Sequence, residues 1–288
     1  MTERLYILLP VHNRRETTRV FVQCLLNQTF TNWHLVLIDD GSVDGTAELI
    51  TGLVKDLTVI RGNGTWWWAK SLQKGIEWLR SNNCQDDSVV LIINDDIEFE
   101  ADFLEKGVAK AMSEPDLLVK SYVYGRKRLH LVDAGIRLNW LNLTASVIAG
   151  DEEADCISTR GVFLSWATLT SIGSFRPRLL PHYLSDYELS IRAKRRRARI
   201  MADPFLTLRT PDPAGNFRGM PERFRERVRF MVSNRCHSNP IHWMLFVWMA
   251  APWRWKLWCS LLVCCRGLSD LTGWSIPYQL GNKKSTAD

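Results

Sequence analysis

No CxxC or CxxxC pair occurs among the seven cysteines, which stand at positions 24, 84, 156, 236, 259, 264 and 265. An odd, scattered set fits neither a disulfide framework nor a structural zinc site, so a reducing compartment is expected. A run of about 20 apolar residues is also missing, which argues against a bilayer-spanning helix. The uncharged window Cys236–Trp253 is interrupted by Pro240 and Pro252. The first apolar run, Leu5–Val11, stops at Asn13-Arg14-Arg15, too soon for an export signal, and reads as a buried strand. GxGxxG, Walker A, HExxH and GxSxG are all absent, so a Rossmann cofactor, a P-loop, a zincin and a serine hydrolase lose their signatures. Asp40–Thr51 fails as an EF-hand, because its twelfth position is threonine.

What is present is ordinary in amount and uneven in placement. With 288 residues, 46% hydrophobic and 24% charged, the chain has core enough for one large domain, alone or with a smaller appended unit, and is not disordered. The formal charge is +6, concentrated in Arg192–Arg199 and again in Arg218–Arg235. That distribution favours a phosphate-bearing partner: nucleotide, anionic lipid or nucleic acid. Of thirteen tryptophans, six follow residue 242. Basic sequence leading into tryptophan-rich apolar sequence suits a membrane surface better than DNA.

The first hundred residues alternate. Leu5–Val11 and Leu35–Ile38 read as buried strands and Thr58–Ile60 and Val89–Ile93 as a third and fourth strand, separated by helical stripes over Thr17–Asn27, Gly45–Val54 and Ala69–Arg80. This implies an α/β fold with an open, mostly parallel sheet covered by helices. After residue 115, Val119–Tyr124, Leu129–Leu138 and Asn142–Ile148 read as shorter strands, and Leu164–Ile172 and Ser185–Arg196 as helices. Thr210–Pro221 reads as a mobile lid, and the rest as a C-terminal helical extension.

In such sheets ligands sit at the carboxyl ends of the strands. Four polar clusters fall there: Pro10–Arg14, Asp39–Gly45, Gly62–Trp68 and Asn94–Asp96. Each has a plainer alternative. Asp39-Asp40-Gly41-Ser42 is also good turn chemistry. Asn94-Asp95-Asp96 suits Mg²⁺ or Mn²⁺, which take few protein oxygens, but acids also dress helix starts. Ser185-Asp186-Tyr187-Glu188 fits a capping box, giving Glu188 a structural role and putting Asp186 in a first turn, where the dipole lowers its pKa unless a bound substrate desolvates it. Trp66-Trp67-Trp68 could stack on a sugar or pack. Arg192–Arg199 could be a solvated face or meet membrane or acceptor phosphate, and Trp243, Trp248, Trp253, Trp255 and Trp258 an interfacial helix or a packed one.

LPVHNRRETT, VLIDDGSVDGT, NDD and SDYELSIRAKRR, in this order, resemble the family 2 glycosyltransferases of GT-A fold over residues 4–205. GNGTWWWAKSLQKGI is similar to the variant in bacterial surface-polysaccharide enzymes, rhamnosyltransferase-like ones above all. The resemblance implies a GT-A catalytic domain at 1–210, with a nucleotide-binding half (1–115) and an acceptor-binding half (116–210), followed by the lid loop and helical extension at 211–288. It implies metal-dependent, inverting transfer from a UDP- or dTDP-sugar to a hydroxyl of a glycan, lipid-linked in surface-polysaccharide synthesis. Asp40 then matches the acid that reads the pyrimidine, Pro10, Val11 and Asn13 shape its pocket, and Asp39 supports it. Asp95 and Asp96 match the acidic metal motif, Asp96 as ligand for Mg²⁺ or Mn²⁺, and Lys70 faces the diphosphate. Gly161 matches the position where backbone admits the acceptor, His182 and Trp67 stand near it, and Asp186 matches the catalytic base.

The chain departs from the family pattern at Ser185, where glutamate is common, at Asn94, and at Arg209, where relatives often carry a histidine for the metal. A nucleotide-sugar-binding protein without transfer is therefore the alternative. A sugar-phosphate nucleotidyltransferase lacks its GxGxR loop here, and nucleic acid is not an expected partner, for want of a recognition module. The expected location is cytoplasmic, peripheral on the inner face of the plasma membrane, against an anionic surface.

Overall fold

The computed structural model describes residues 4–126, 130–150, 153–210 and 220–272. Strand β1 (Leu5–Val11) is followed by α1 (Arg15–Leu26), β2 (Trp33–Asp39), α2 (Thr46–Leu53), β3 (Leu57–Arg61), α3 (Trp67–Ser81) and β4 (Val89–Ile92). The four strands lie parallel in the order β4-β1-β2-β3. The chain continues through α4 (Phe103–Met112), β5 (Leu117–Gly125) and β6 (Leu131–Asp133). Next come β7 (Gly135–Asn139), β8 (Thr144–Ile148), β9 (Cys156–Ile157), β10 (Val162–Ser165), α5 (Trp166–Ile172), α6 (Ser185–Arg195) and β11 (Arg199–Thr210). The main sheet extends past β4 through β10, β5 and β11, with β10 antiparallel to both its neighbours and β6 paired to β5. A small antiparallel sheet of β8, β7 and β9 stands apart. This is the open, mostly parallel α/β sheet expected.

Alternation along β1 explains why its residues run apolar without a break. Leu5, Ile7, Leu9 and Val11 meet Phe21, Ile50 and Leu104 of α1, α2 and α4 on one face. Leu8 points to the other, among Leu72, Leu169 and Leu189 of α3, α5 and α6. Leu164 and Ser165, expected as the start of a helix, belong instead to strand Val162–Ser165, because it fills the gap between β4 and β5. The helix starts only at Trp166, capped by Ser165, whose Oγ accepts from the Thr168 N–H at 3.1 Å. Residues 129 and 211–219, within the expected Leu129–Leu138 strand and the lid, lie outside the described residues.

The C-terminal extension holds α7 (Phe224–Met231), α8 (Pro240–Ala250), a 3₁₀ turn at Trp253–Trp255 and α9 (Lys256–Thr272). A third core joins it to the domain: Trp243, Phe246, Val247, Cys259 and Val263 bury against Leu143, Leu180 and Leu184. No described helix is long and apolar enough to cross a membrane. The tryptophan cluster divides, since Trp243 is core and Trp255 packs on it, while Trp248, Trp253 and Trp258 stay exposed.

The basic run is largely structural rather than a free face. Arg192 forks onto Glu188 and onto the carbonyls of Ile172 and Ser174. Lys194 donates to Ala154 O, Arg195 to Met249 O and Ala250 O at the end of α8, and Arg196 to Ser171 O. The carbonyls of Ser171, Ile172, Met249 and Ala250 are ones that the ends of α5 and α8 leave orphaned.

At Gly107 in α4 an added Cβ would fall 2.2 Å from Phe163 Cζ, and Phe163 is fully buried. Gly107→Ala gains helix propensity of about 1 kcal/mol but overpacks the core at a cost of about 1–3 kcal/mol. A net fall in urea midpoint is expected; an unchanged or raised midpoint would refute this packing account.

Candidate active site

The carboxyl ends of β1, β2 and β3 are tied by carboxylates that accept from backbone. Asp40 is 7% exposed, and its Oδ1 takes the Gly64 N–H at 2.8 Å. Its Oδ2 takes those of Trp66 and Trp67 at 2.7 and 3.1 Å. Asp39 Oδ1 accepts from the Ser42 N–H at 2.8 Å. The loops touch backbone to backbone, for a Cβ on Gly41 would stand 2.6 Å from Gly64 N and one on Gly62 2.7 Å from Asp40 Oδ1. Gly41 and Gly64 also take the left-handed φ that glycine accepts without strain.

The β1 turn is stitched to the same loop. The Val43 N–H donates to Asn13 Oδ1, the Asn13 N–H to Ser42 Oγ and the Arg15 N–H to Asp44 Oδ2. His12 Nδ1 lies 2.6 Å from Asp40 O. Pro10 and Val11 pair with Ile38 and Asp39, so Pro10, Val11, Asn13, Asp39 and Asp40, expected at the nucleotide base, all gather at these ends.

Arg14 extends the cluster to β4 and was not singled out in the sequence. Its Nε lies 2.9 Å from Asp95 Oδ1 and its Nη2 3.8 Å from Asp96 Oδ2. Thr18 Oγ1 donates to Asp95 Oδ2 at 2.9 Å. Burial pushes the Asp95 carboxyl up, and Arg14 and Thr18 oppose it. Asp95 is thus spoken for, while Asp96 Oδ1 is buried and has no hydrogen-bond partner. Among the described residues no three or more His, Cys, Asp or Glu group closely enough to hold a metal by themselves. Thr210, at the end of β11, donates to Asp96 O at 3.2 Å; Arg209 beside it pairs with Glu100.

Asn94 opens onto a cavity of about 430 Å³ that Asp186, His182, Trp68, Asp133 and Ser158–Arg160 also line. Asp186 sits in the first turn of α6, and burial overrides the helix dipole. Its carboxyl is pushed up to about 6 by desolvation first, while backbone N–H groups of Tyr187 and Thr159 pull it down and the charge of Asp133 adds to the rise. The capping-box expectation is corrected. Ser185 is the first helical residue, not the cap, because Leu184 enters with φ +66° and Ser185 Oγ turns back to His182 O. Glu188 is structural as expected, but through Arg192 and Arg176.

Behind this cavity lies a buried ion pair that hydropathy concealed. Lys120 of β5 is fully buried, its Nζ 3.1 Å from Asp133 Oδ2 and donating to Arg160 O at 2.5 Å. Asp133 also accepts from Ser158 Oγ. In sequence Lys120 is one polar residue in an apolar strand, and only its three-dimensional neighbours give it a purpose.

Other expected residues fall elsewhere. Lys70 and Trp67 line a second cavity, Lys70 lying 5.8 Å from the Trp66 ring centroid. Trp67 meets His182 at 5.6 Å between centroids, so this pair stands between the two cavities. Gly161 does not line the first cavity. Its φ is +77° and a Cβ would meet Leu208 Cδ1 at 2.4 Å, so strand packing is what requires glycine there.

The glycosyl transferase family 2 model matches residues 6–163, more than half of the chain. Solved structures share the fold at low identity. Mannosyltransferase PcManGT from Pyrobaculum calidifontis, in complex with GDP-Man and Mn²⁺, aligns at 13% identity and TM-score 0.55, covering 96% of this chain and 77% of its own. GalNAc-T7 with UDP, GalNAc and Mn²⁺ aligns at 12% and 0.61, covering 94% and 58%. S. aureus TarS 1–349 with UDP-GlcNAc aligns at 12% and 0.53, covering 94% and 73%. No curated protein matches the chain in sequence.

Lys120→Met leaves Asp133 without its cation in a mostly buried place. Breaking such a pair costs about 3 kcal/mol, which urea unfolding will read as a lowered midpoint with unchanged slope. A midpoint within error of wild type would mean that the pair contributes nothing to stability.

Proposed function

The chain belongs to glycosyl transferase family 2, and on that premise we propose that it moves a sugar from a UDP- or dTDP-sugar to a hydroxyl of a glycan acceptor with inversion. The observation that carries the reading is the cavity joining Asn94, at the end of β4, to a carboxyl of raised proton affinity, Asp186. A base with pKa near working pH is the group that an attacking hydroxyl needs. Residues 1–210 make the catalytic unit, and the helices after it an extension.

Asp186 removes the proton from the acceptor hydroxyl as its oxygen attacks the anomeric carbon from the side opposite the diphosphate. The carbon–oxygen bond to the diphosphate breaks, and the nucleoside diphosphate leaves. Pro10, Val11, Asn13 and Asp39 form the base pocket, with Asp40 holding its walls and offering its remaining lone pairs. Asp95, locked by Arg14, fixes the loop before Asp96. The unpartnered Asp96 Oδ1 fits a divalent cation, Mg²⁺ or Mn²⁺, and Asp96 would hold it. Such an ion, when bound, supplies positive charge to the leaving diphosphate. The Mn²⁺ and nucleotide sugars in the GT-A neighbours support this reading.

The acceptor side is Asp133, Ser158–Arg160 and His182, with Gly161 packed behind them. Exposed Trp248, Trp253, Leu257, Trp258 and Leu261, beside Arg254 and Lys256, support a surface that rests on anionic membrane and an acceptor carried on lipid. Bacterial surface-polysaccharide synthesis, with a rhamnosyl-type donor, suits that placement.

Asp186→Asn will abolish transfer while nucleotide affinity by calorimetry stays within about twofold; full transfer by this variant would end the assignment. In wild type, activity will rise with pH through about 6 as Asp186 loses its proton. Since the negative charge of Asp133 raises that pKa, Asp133→Asn will move the rising limb to lower pH; a limb that stays put would remove Asp133 from the base's surroundings. On the extension, Trp253→Ser with Leu257→Ser will weaken retention on anionic liposomes at low salt, and equal retention would refute the surface.

A further inference from the structure

We propose that the second cavity, between α3 and the Phe175–Pro181 segment, is a binding site for a phosphate-bearing group of the acceptor, distinct from the donor's place. The proposal rests on the glycosyltransferase reading and names the acceptor's chemical class. The cavity, of about 920 Å³, adjoins the first across the Trp67–His182 pair. Among the described residues that line it stand four cations, Lys70, Lys74, Arg176 and Arg178, against one carboxylate, Glu77.

These cations are not equally engaged. Lys74 is paired to Glu77 at 2.7 Å, and Arg176 lies 3.6 Å from Glu188. Lys70 meets only the face of Trp66, and Arg178 has no hydrogen-bond or ion-pair partner among the described residues. Uncompensated cations round a concavity attract a polyanion, and an arginine fork suits phosphate geometry. A second, independent observation points the same way. His242, 9% exposed, lines the cavity with its Nδ1 buried and without a hydrogen-bond partner. A buried ring nitrogen left unpaired costs free energy unless something fills the place, and a phosphate oxygen or its hydroxyl can.

Donor phosphates do not explain the site. None of Pro10, Val11, Asn13, Asp39, Asp40, Asp95 or Asp96 lines it, whereas Trp66 and Trp67, whose backbone N–H groups Asp40 holds, belong to its wall. It does stand one aromatic pair away from Asp186, as the far end of an acceptor whose hydroxyl reaches that carboxyl. Trp66 and Trp67 give the wall apolar faces for what the phosphate is attached to. The sequence assigned Lys70 to the donor diphosphate; its position favours this other anion.

The test is calorimetry on the full chain in the presence of Mg²⁺, with inorganic pyrophosphate titrated in the presence and absence of saturating UDP. Wild type is expected to bind pyrophosphate with UDP present. Arg178→Ala will weaken pyrophosphate binding at least tenfold, Lys70→Ala/Arg178→Ala will abolish it, and Arg178→Ala will bind UDP as wild type does. Competition between pyrophosphate and UDP, no pyrophosphate binding, or binding indifferent to Arg178→Ala would each overturn the site. A chain that binds no UDP would instead undo the donor reading, while the Arg178 comparison would still decide this one. Geranyl diphosphate binding tighter than pyrophosphate assigns the phosphate to a lipid carrier; equal binding assigns it to a free phosphate group.

Discussion

Everything at the sheet's working edge depends on buried carboxylates turned inward to hold backbone. Asp40 accepts three N–H groups from the loop after β3, and Asp39 one from its own turn. Hydrogen bonds to an ionised acceptor are about twice as strong as neutral ones, and here they fasten loops whose glycines allow direct backbone contact. Three strand ends that share no covalent link within twenty residues thereby keep a fixed spacing. The start of α3, and with it all three tryptophans of the Trp66–Trp68 run, is placed by the same clamp.

Much of this was legible. Apolar runs of four to seven residues between helical stripes point to β1, β2 and β4 in a parallel sheet, since only a sheet covered on both faces buries such strands, and the shorter Thr58–Ile60 marks the partly buried β3. Acids, asparagines and glycines directly after those runs gave the strand-end cluster. Less legible was the half after residue 115, where the second half of the short Val162–Ser165 strand reads as the beginning of its helix. Its extended form comes from neighbours distant in sequence, β4 and β5, which no local pattern reports.

Around the site, some local patterns mislead about why a residue is there. Asp186 followed a plausible cap, yet the cap is absent and burial decides its proton affinity. Gly161 is held to glycine by Leu208 and by its left-handed φ. Arg14 and Lys120 were passed over because each makes sense only across the fold: one reaches Asp95 eighty-one positions away, and the other is enclosed between Asp133 and a loop carbonyl. Charge runs misled in the opposite direction, since four of the cations in 192–199 end on backbone carbonyls.

Helix α6 carries Asp186 at one end and Arg195 at the other, and Arg195 grips the last carbonyls of α8. It works as a rigid strut. Its far foot stands on the helix that bears exposed Trp248, so about three turns of helix tie that outer surface to the wall of the cavity. In packing terms, the outer helices and Asp186 are one part.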